Sequence, residues 1–322
     1  MRERLIEGAC FILCLCAYIP LIYLSNRSGL QPLEILPVST VSCCITSLMV
    51  MAWLLITGKG KLFWADRAAM VAAWWAAPST ANIVLTSPAT YALAADAYLA
   101  ALTLNKLGSI AVALPAAIGG AIASGRIKLA SFLCIAAIAL ATYGKSLWSV
   151  AHGGPWLGGV LAAAAMALTG WYVANYGWRI YKMRKFKKSM TFFLWEHLLA
   201  PQIALLILLG CWGASALLAA TGHHNGWLDQ IALGFTRWDR IDLWLLGVAS
   251  QVVGLTGGWI LVSQAVSAAG MLLYRCSALV AGVLLLLMQG HGLRPEHGAA
   301  AVVPIVLLLL RSEHKAEPPQ AA

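Results

Sequence analysis

The chain is a succession of apolar runs, each ended by a short polar turn, and many of the runs are as long as a helix that crosses a bilayer. A spanning helix needs about 20 mostly apolar residues, a length that 33–56, 191–220 and 241–262 all reach. Of the 322 residues, 61% are hydrophobic and 11% charged, against about 25% charged in ordinary soluble domains. A soluble globular chain is excluded. The fold class expected is an all-α integral membrane protein with room for about ten transmembrane helices.

The turns divide the runs into helix candidates at 7–24, 33–56, 68–86, 93–122 and 129–148, then 157–176, 191–220, 241–262, 266–288 and 298–310. Ser87-Pro88 is expected to end the third, because the residue before a proline is disfavoured in helical conformation. Gly153-Gly154-Pro155 separates two five-helix halves, 1–150 and 151–322, the second with a polar tail. The basic flank and apolar run at the N-terminus look like a signal sequence. They lack a small-residue cleavage site and are followed by further spans, so a retained first helix is expected.

Two of the candidates carry a fixed positive charge near the middle. LTLNKLGSIAVALP holds Lys106, and MLLYRCSALVAGVL holds Arg275. A basic side chain at the centre of a membrane helix costs roughly 2.5–3.5 kcal/mol on insertion scales, so such residues usually face an interior cavity. Superposing the two charges without a gap sets Asn82 on Gln251 and the turn Ser124-Gly125-Arg126 on Leu293-Arg294-Pro295. Two halves with one hydropathy plan are the sign of an internal repeat, with the binding site at the repeat interface.

Net charge is +10, but the charges alternate between loops instead of sharing a face, so nucleic acid is excluded as a partner. With a cytoplasmic N-terminus, the inner side holds fifteen basic residues: Arg2, Arg4, Lys59, Lys61, Arg67, Arg126, Lys128, the six from Arg179 to Lys188, Arg311 and Lys315. The outer side holds Arg27, Arg237, Arg240 and Arg294, with Lys145 near the end of a helix. This bias predicts both termini inside. Five helices per half then make the repeat an inverted one.

Two stretches carry a family resemblance. LGSIAVALPAAIGGAIASGRIKLASFLCIAAIALATYG (107–144) and LGGVLAAAAMALTGWYVANYGWRIYKM (157–183), on the five-plus-five plan, resemble the drug/metabolite transporter superfamily, in particular its ten-helix EamA-like branch. The resemblance implies a multi-pass permease of the bacterial inner membrane, with export the common direction. The chain departs from the family pattern in the turn SGRIK, where an acidic residue often stands, and in the ninth helix, which lacks a mid-helix proline.

The candidate substrate contacts are Lys106 and Arg275, as cationic partners of a carboxylate or phosphate. The alternative is internal pairing with Glu34, Asp96 or Glu196. Asn82, Gln251 and Tyr274 join the substrate set; the two amides serve equally well to hold helices together. Asp96, Glu34 and Glu196 are the coupling or gating candidates. The plainer reading is a helix start for Asp96 and first-turn charges favoured by the helix dipole for both glutamates. His197 reads as a polar interface residue. Eight cysteines lie in apolar stretches and give neither a disulfide framework nor zinc spacing.

HNGWLD (224–229) has the H-x4-D spacing of glycerolipid acyltransferases, once and in an outer loop, and no P-loop is present. The expected function is a secondary transporter, not an enzyme, moving a small anionic or zwitterionic metabolite of amino-acid or organic-acid type. Its partners would be that small-molecule substrate, the lipid bilayer and protons as coupling ion; a homodimer is left open, and no cofactor or metal is expected. The alternatives are a non-transport membrane subunit, a flippase-like protein that handles lipid phosphate and, remotely, a membrane acyltransferase.

Overall fold

The computed structural model describes residues 2–92, 190–262 and 268–290. The expected fourth, fifth, sixth and tenth helices and the boundary at 150 lie outside the described residues. Among those described there are eight helices and no strand: α1 (Arg2–Arg27), α2 (Leu36–Ile56), α3 (Lys61–Trp64), α4 (Arg67–Tyr91), α5 (Met190–Ala220), α6 (Gly226–Gly234), α7 (Ile241–Val262) and α8 (Ala268–Met288). Three are long and apolar enough to cross a membrane: Leu36–Ile56, Arg67–Ala89 and Met190–Ala220. Apolar residues such as Trp53, Ile56, Trp75 and Leu206 are more than half exposed on them. Only 17% of the most apolar window of α5 is buried. A surface of this kind is suited to lipid.

Helix ends follow local chemistry. Pro37 stands in the first turn of α2, where its missing N–H costs nothing. The helix closes at Gly58 (φ +73), with Lys59 N donating to Leu54 O at 2.8 Å. α5 closes in the same way at Gly222 (φ +75), with His223 N donating to Leu218 O at 2.9 Å. Glycine pays no Cβ penalty in this left-handed conformation. Asn225 caps α6 by accepting from Trp227 N and Leu228 N at 3.1 and 3.3 Å.

One expected boundary is overturned. Ser87-Pro88 does not end the third helix, because α4 continues to Tyr91 through both Pro78 and Pro88. Membrane-type helices tolerate internal prolines when neighbouring groups take up the freed backbone carbonyls. The loops at 58–67 and 221–240 also differ from expectation, since each contains a short helix, α3 and α6 respectively.

The chain therefore runs long–short–long twice, as α2–α3–α4 and α5–α6–α7. The two triplets interlock. α4 lies along α5 in parallel, with Ala69 to Ala76 near Phe192, Thr80 at Glu196 and Ala81 beside Ala200 and Ala204. α2 lies along α7, also in parallel, as Ser42 Oγ donates to Trp244 O at 2.6 Å and Leu54 clusters with Leu255. α2 and α5 run antiparallel, for Leu54 clusters with Phe193 and Leu194 while Leu36 and Val38 cluster with Leu208.

Each short helix packs on the start of the other triplet's first long helix. Next to α3, Leu62 O accepts from Thr191 Oγ1 at 2.6 Å and Phe63 O from Trp195 Nε1 at 2.7 Å. At the other end of the bundle, Gly234 at the close of α6 presses on Pro37 and the Glu34 carbonyl, leaving no room for a Cβ. α1 completes the core against α7 and α8, burying Tyr18, Leu21 and Ile22.

Candidate functional site

A cavity of about 60 Å³ lies between α1, α4, α5 and α7. Its lining mixes the apolar Leu21, Ile83, Val84 and Ala200 with Tyr18, Thr80, Ser87, Tyr91, His197, Ser250 and Gln251. That volume holds a few waters, or the end group of a larger ligand.

The prolines explain why polar groups gather here. Pro201 lies inside α5 and has no N–H for the carbonyl of His197, four residues earlier. Gln251 Nε2 supplies the missing donor, at 3.3 Å from His197 O. Pro88 likewise removes the helical donor of the Val84 carbonyl. Both carbonyls belong to residues that line the cavity. The His197 ring is fixed through Nδ1, which donates to Phe193 O at 3.1 Å; the carbonyl only accepts, so Nδ1 carries the proton. Its Nε2 edge lies toward Gly254, where an added Cβ would stand 3.6 Å from Nε2.

Glu196 is 1% exposed, and its Oε1 accepts from Thr80 Oγ1 at 2.7 Å. The buried carboxylate thus stands behind the cavity wall, with the Thr80 hydroxyl between. Ser87 Oγ is buried and has no hydrogen-bond partner among the described residues. Such a group costs free energy unless something in the cavity satisfies it.

Of the substrate contacts expected from sequence, Gln251 lines this cavity. Asn82 is half-buried on α4, outside the lining, and its backbone carbonyl accepts from Thr86 Oγ1 at 2.7 Å. Tyr274 and Arg275 fall within α8, but their side chains lie outside the described residues, as do Lys106 and Asp96 entirely. Glu34 stands in the turn before α2. Its Oε1 accepts from Arg237 Nε at 2.6 Å, and its Oε2 from Gln31 N at 3.3 Å. Beside it, Arg240 donates to Ser28 O at 2.8 Å and to both carboxylate oxygens of Asp242. The Asp242 carboxylate holds the Arg240 guanidinium above its usual pKa.

The H-x4-D pair is brought together, with His224 Nδ1 3.5 Å from Asp229 Oδ2. Its surroundings are those of a helix start. His224 is 73% exposed, Asn225 caps α6, and Asp229 accepts from Ser215 Oγ at 2.8 Å.

Thr80, Ser87, Ser250, Tyr18 and Tyr91 were not singled out by sequence, because small hydroxyls and tyrosines are common in apolar helices. One signal was available: Pro201 four residues after His197 marks a freed carbonyl beside a polar side chain. No protein-family model matches the chain, and no curated protein matches it. The resemblance to drug/metabolite transporters therefore rests on the residues that carry it.

Proposed function

We propose that this chain is a secondary transporter of the drug/metabolite type. It would move a small anionic or zwitterionic metabolite across a bacterial inner membrane by alternating access, with both termini in the cytoplasm and export as the direction. The observation that carries the reading is the interlock of the two long–short–long triplets, with a cavity of mixed polar and apolar lining between α4, α5, α7 and α1. Exchanging the triplets turns the α4–α5 pairing into the α7–α2 pairing and the contact of α3 on α5 into that of α6 on α2. Transporters built as inverted repeats have this property and place the site between the repeats.

Sequence spacing supports the same reading. Pro37 precedes Thr57-Gly58 by twenty residues, and Pro201 precedes Thr221-Gly222 by twenty. Intramembrane charges mark substrate or ion pathways, which favours Lys106 and Arg275 as substrate contacts and Glu196 as a coupling or gating group. The ion pair of Glu34 with Arg237 ties the two triplets at one end, and Trp195 with Thr191 ties them at the other. Those ties are the contacts that alternating access would break in turn.

The test is counterflow in proteoliposomes loaded with unlabelled amino acids and organic acids. Saturable uptake of a labelled member is expected, together with its loss in Lys106→Ala and Arg275→Ala. Folded protein that exchanges none of these solutes refutes transport of this class. Exchange that both variants retain refutes the basic site.

A further inference from the structure

The two ends of the helix bundle carry opposite charge balances. At the end that holds α6, residues 25–34 and 221–242 contain Arg27, Arg237 and Arg240 against Glu34, Asp229, Asp239 and Asp242. Two of those cations are paired, Arg237 with Glu34 and Arg240 with Asp242. At the other end, the segment 57–67 that joins α2 to α4 through α3 contains Lys59, Lys61 and Arg67 against Asp66 alone. All three cations are exposed, and none is within ion-pair distance of a carboxylate among the described residues. Asp66 Oδ1 is engaged, accepting from Ala69 N at 3.0 Å. Arg67 opens α4, where the helix dipole disfavours a cation and favours an anion beside it.

Aromatic side chains set the depth of this cluster. α2 and α4 are both long and apolar enough to cross a membrane, so a short segment that joins them stands at the membrane surface. Lys59 Nζ lies 5.6 Å from the centroid of the Trp53 ring. Trp64 is 66% exposed, one turn after Lys61. The opposite side of α3 is docked, with Phe63 buried and the carbonyls of Leu62 and Phe63 accepting from Thr191 and Trp195. Tryptophan is enriched at the level of lipid headgroups, its ring in the apolar boundary and its N–H toward water. Lysine and arginine stems reach along the same boundary and hold their charges at the level of the phosphates.

From this we infer that the segment 57–67 binds the phosphate headgroup of an anionic phospholipid, with Lys59, Lys61 and Arg67 as phosphate contacts and Trp53 and Trp64 against the upper acyl chains. An anionic lipid is selected over a zwitterionic one because the segment sets three unpaired cations against one engaged carboxylate, which leaves little to hold a choline group. Each basic residue near a membrane surface adds to the attraction for anionic lipid. The inference goes beyond the transport reading and requires only that α2 and α4 span the bilayer. In the topology proposed above, this end faces the cytoplasm.

The test titrates the full-length protein in detergent with phosphatidylglycerol and phosphatidylcholine of the same acyl chains, and reads bound lipid by native mass spectrometry. Phosphatidylglycerol should bind the more tightly, and less so as salt is raised. Lys59→Gln, Lys61→Gln and Arg67→Gln should each weaken its tightest binding about fivefold, and the triple variant should bring the two lipids level. All three side chains are exposed, so the variants should keep the native melting temperature. Arg27→Gln, at the opposite end of the bundle, should leave the preference intact. Equal binding of the two lipids by the wild type, or an undiminished preference in the triple variant, overturns the assignment. So does glycerophosphoglycerol, the headgroup without acyl chains, if it binds as tightly as the whole lipid, because the segment would then hold a soluble phosphate ester.

Discussion

Pro37 and Pro201 stand at matching places in the sequence and do opposite things. Each lies twenty residues before a Thr-Gly pair that closes a long helix, and each follows a glutamate, Glu34 or Glu196, by a few residues. α2 begins at Leu36, so Pro37 sits in a first turn where no N–H is needed. α5 begins at Met190, so Pro201 falls in its interior and frees the His197 carbonyl. Around Pro37 the chain closes: Glu34 is held by Arg237, and Gly234 touches the proline ring. Around Pro201 it opens into a cavity of mixed polar and apolar lining. One local device, in a first turn in one place and inside a long helix in the other, gives a sealed end in the first and a small cavity in the second.

The largest effect should come from α7, which touches both regions. A Cβ at Gly247 would lie 2.2 Å from Ser39 O and 2.4 Å from Ser42 Cβ, whereas one at Gly254 would meet only His197, at 3.4 Å. Gly247→Ala must push α2 and α7 apart and should cost about 3 kcal/mol, at the upper end of overpacking. Gly254→Ala gains helix propensity of about 1 kcal/mol against a mild contact and should be near neutral. Thermal melting of the two variants checks this, and equal costs would mean that the α2–α7 seam is no tighter than the cavity side.

Next comes the sealed end. Glu34 is 4% exposed and Arg237 38%. Removing one partner of a fully buried pair costs about 3–5 kcal/mol, but the exposure of the arginine brings the expectation for Arg237→Ala down to about 2 kcal/mol. A double-mutant cycle with Glu34→Gln should recover part of that as coupling. No coupling would show that the glutamate is satisfied by Gln31 N alone.

The sequence disclosed these two regions unevenly. The start of α7 at Ile241 and the end of α5 at Ala220 were legible, since long apolar runs bounded by polar turns leave little choice. The helix through Pro88 was not, because a proline's local preference is outweighed when neighbouring groups take over its lost bond. α3 and α6 were hidden in polar loops; the cap Asn225 with Asp229 in the first turn marked α6 faintly. Of the cavity, Gln251 was legible as an amide in an apolar helix. Thr80 and Ser87 were not, since which face a hydroxyl takes depends on where the neighbouring helix lies. The twenty-residue spacing from proline to Thr-Gly was in the sequence throughout, hidden because a gapless register set by Lys106 and Arg275 sets Pro37 on Leu206 and not on Pro201.

A smaller effect separates two hydroxyls in similar positions. Ser42 bonds the Trp244 carbonyl across α2 and α7, and Thr80 bonds Glu196 across α4 and α5. Ser42→Ala and Thr80→Val should each cost about 1 kcal/mol of stability, or less if membrane values apply. Only Thr80→Val should also change exchange in the counterflow assay, because of the two only Thr80 lies on the cavity. A change in both would mean that the two seams are coupled through α7.

The finest test replaces the two prolines. Pro37→Ala should cost about 0.5 kcal/mol, through the added freedom of the unfolded chain. Pro201→Ala restores an N–H that can bond the His197 carbonyl within α5. Gln251 Nε2 would then be released from that carbonyl and could turn its whole amide toward the cavity that Gln251 lines. Stability should therefore change little, within about 1 kcal/mol either way, since one hydrogen bond replaces another. Solute preference in the counterflow assay should therefore change, an effect that Pro37→Ala should not produce. If Pro201→Ala leaves the solute preference unaltered, the orientation of Gln251 does not set the selectivity of the cavity, and the contrast between the two prolines is one of packing alone.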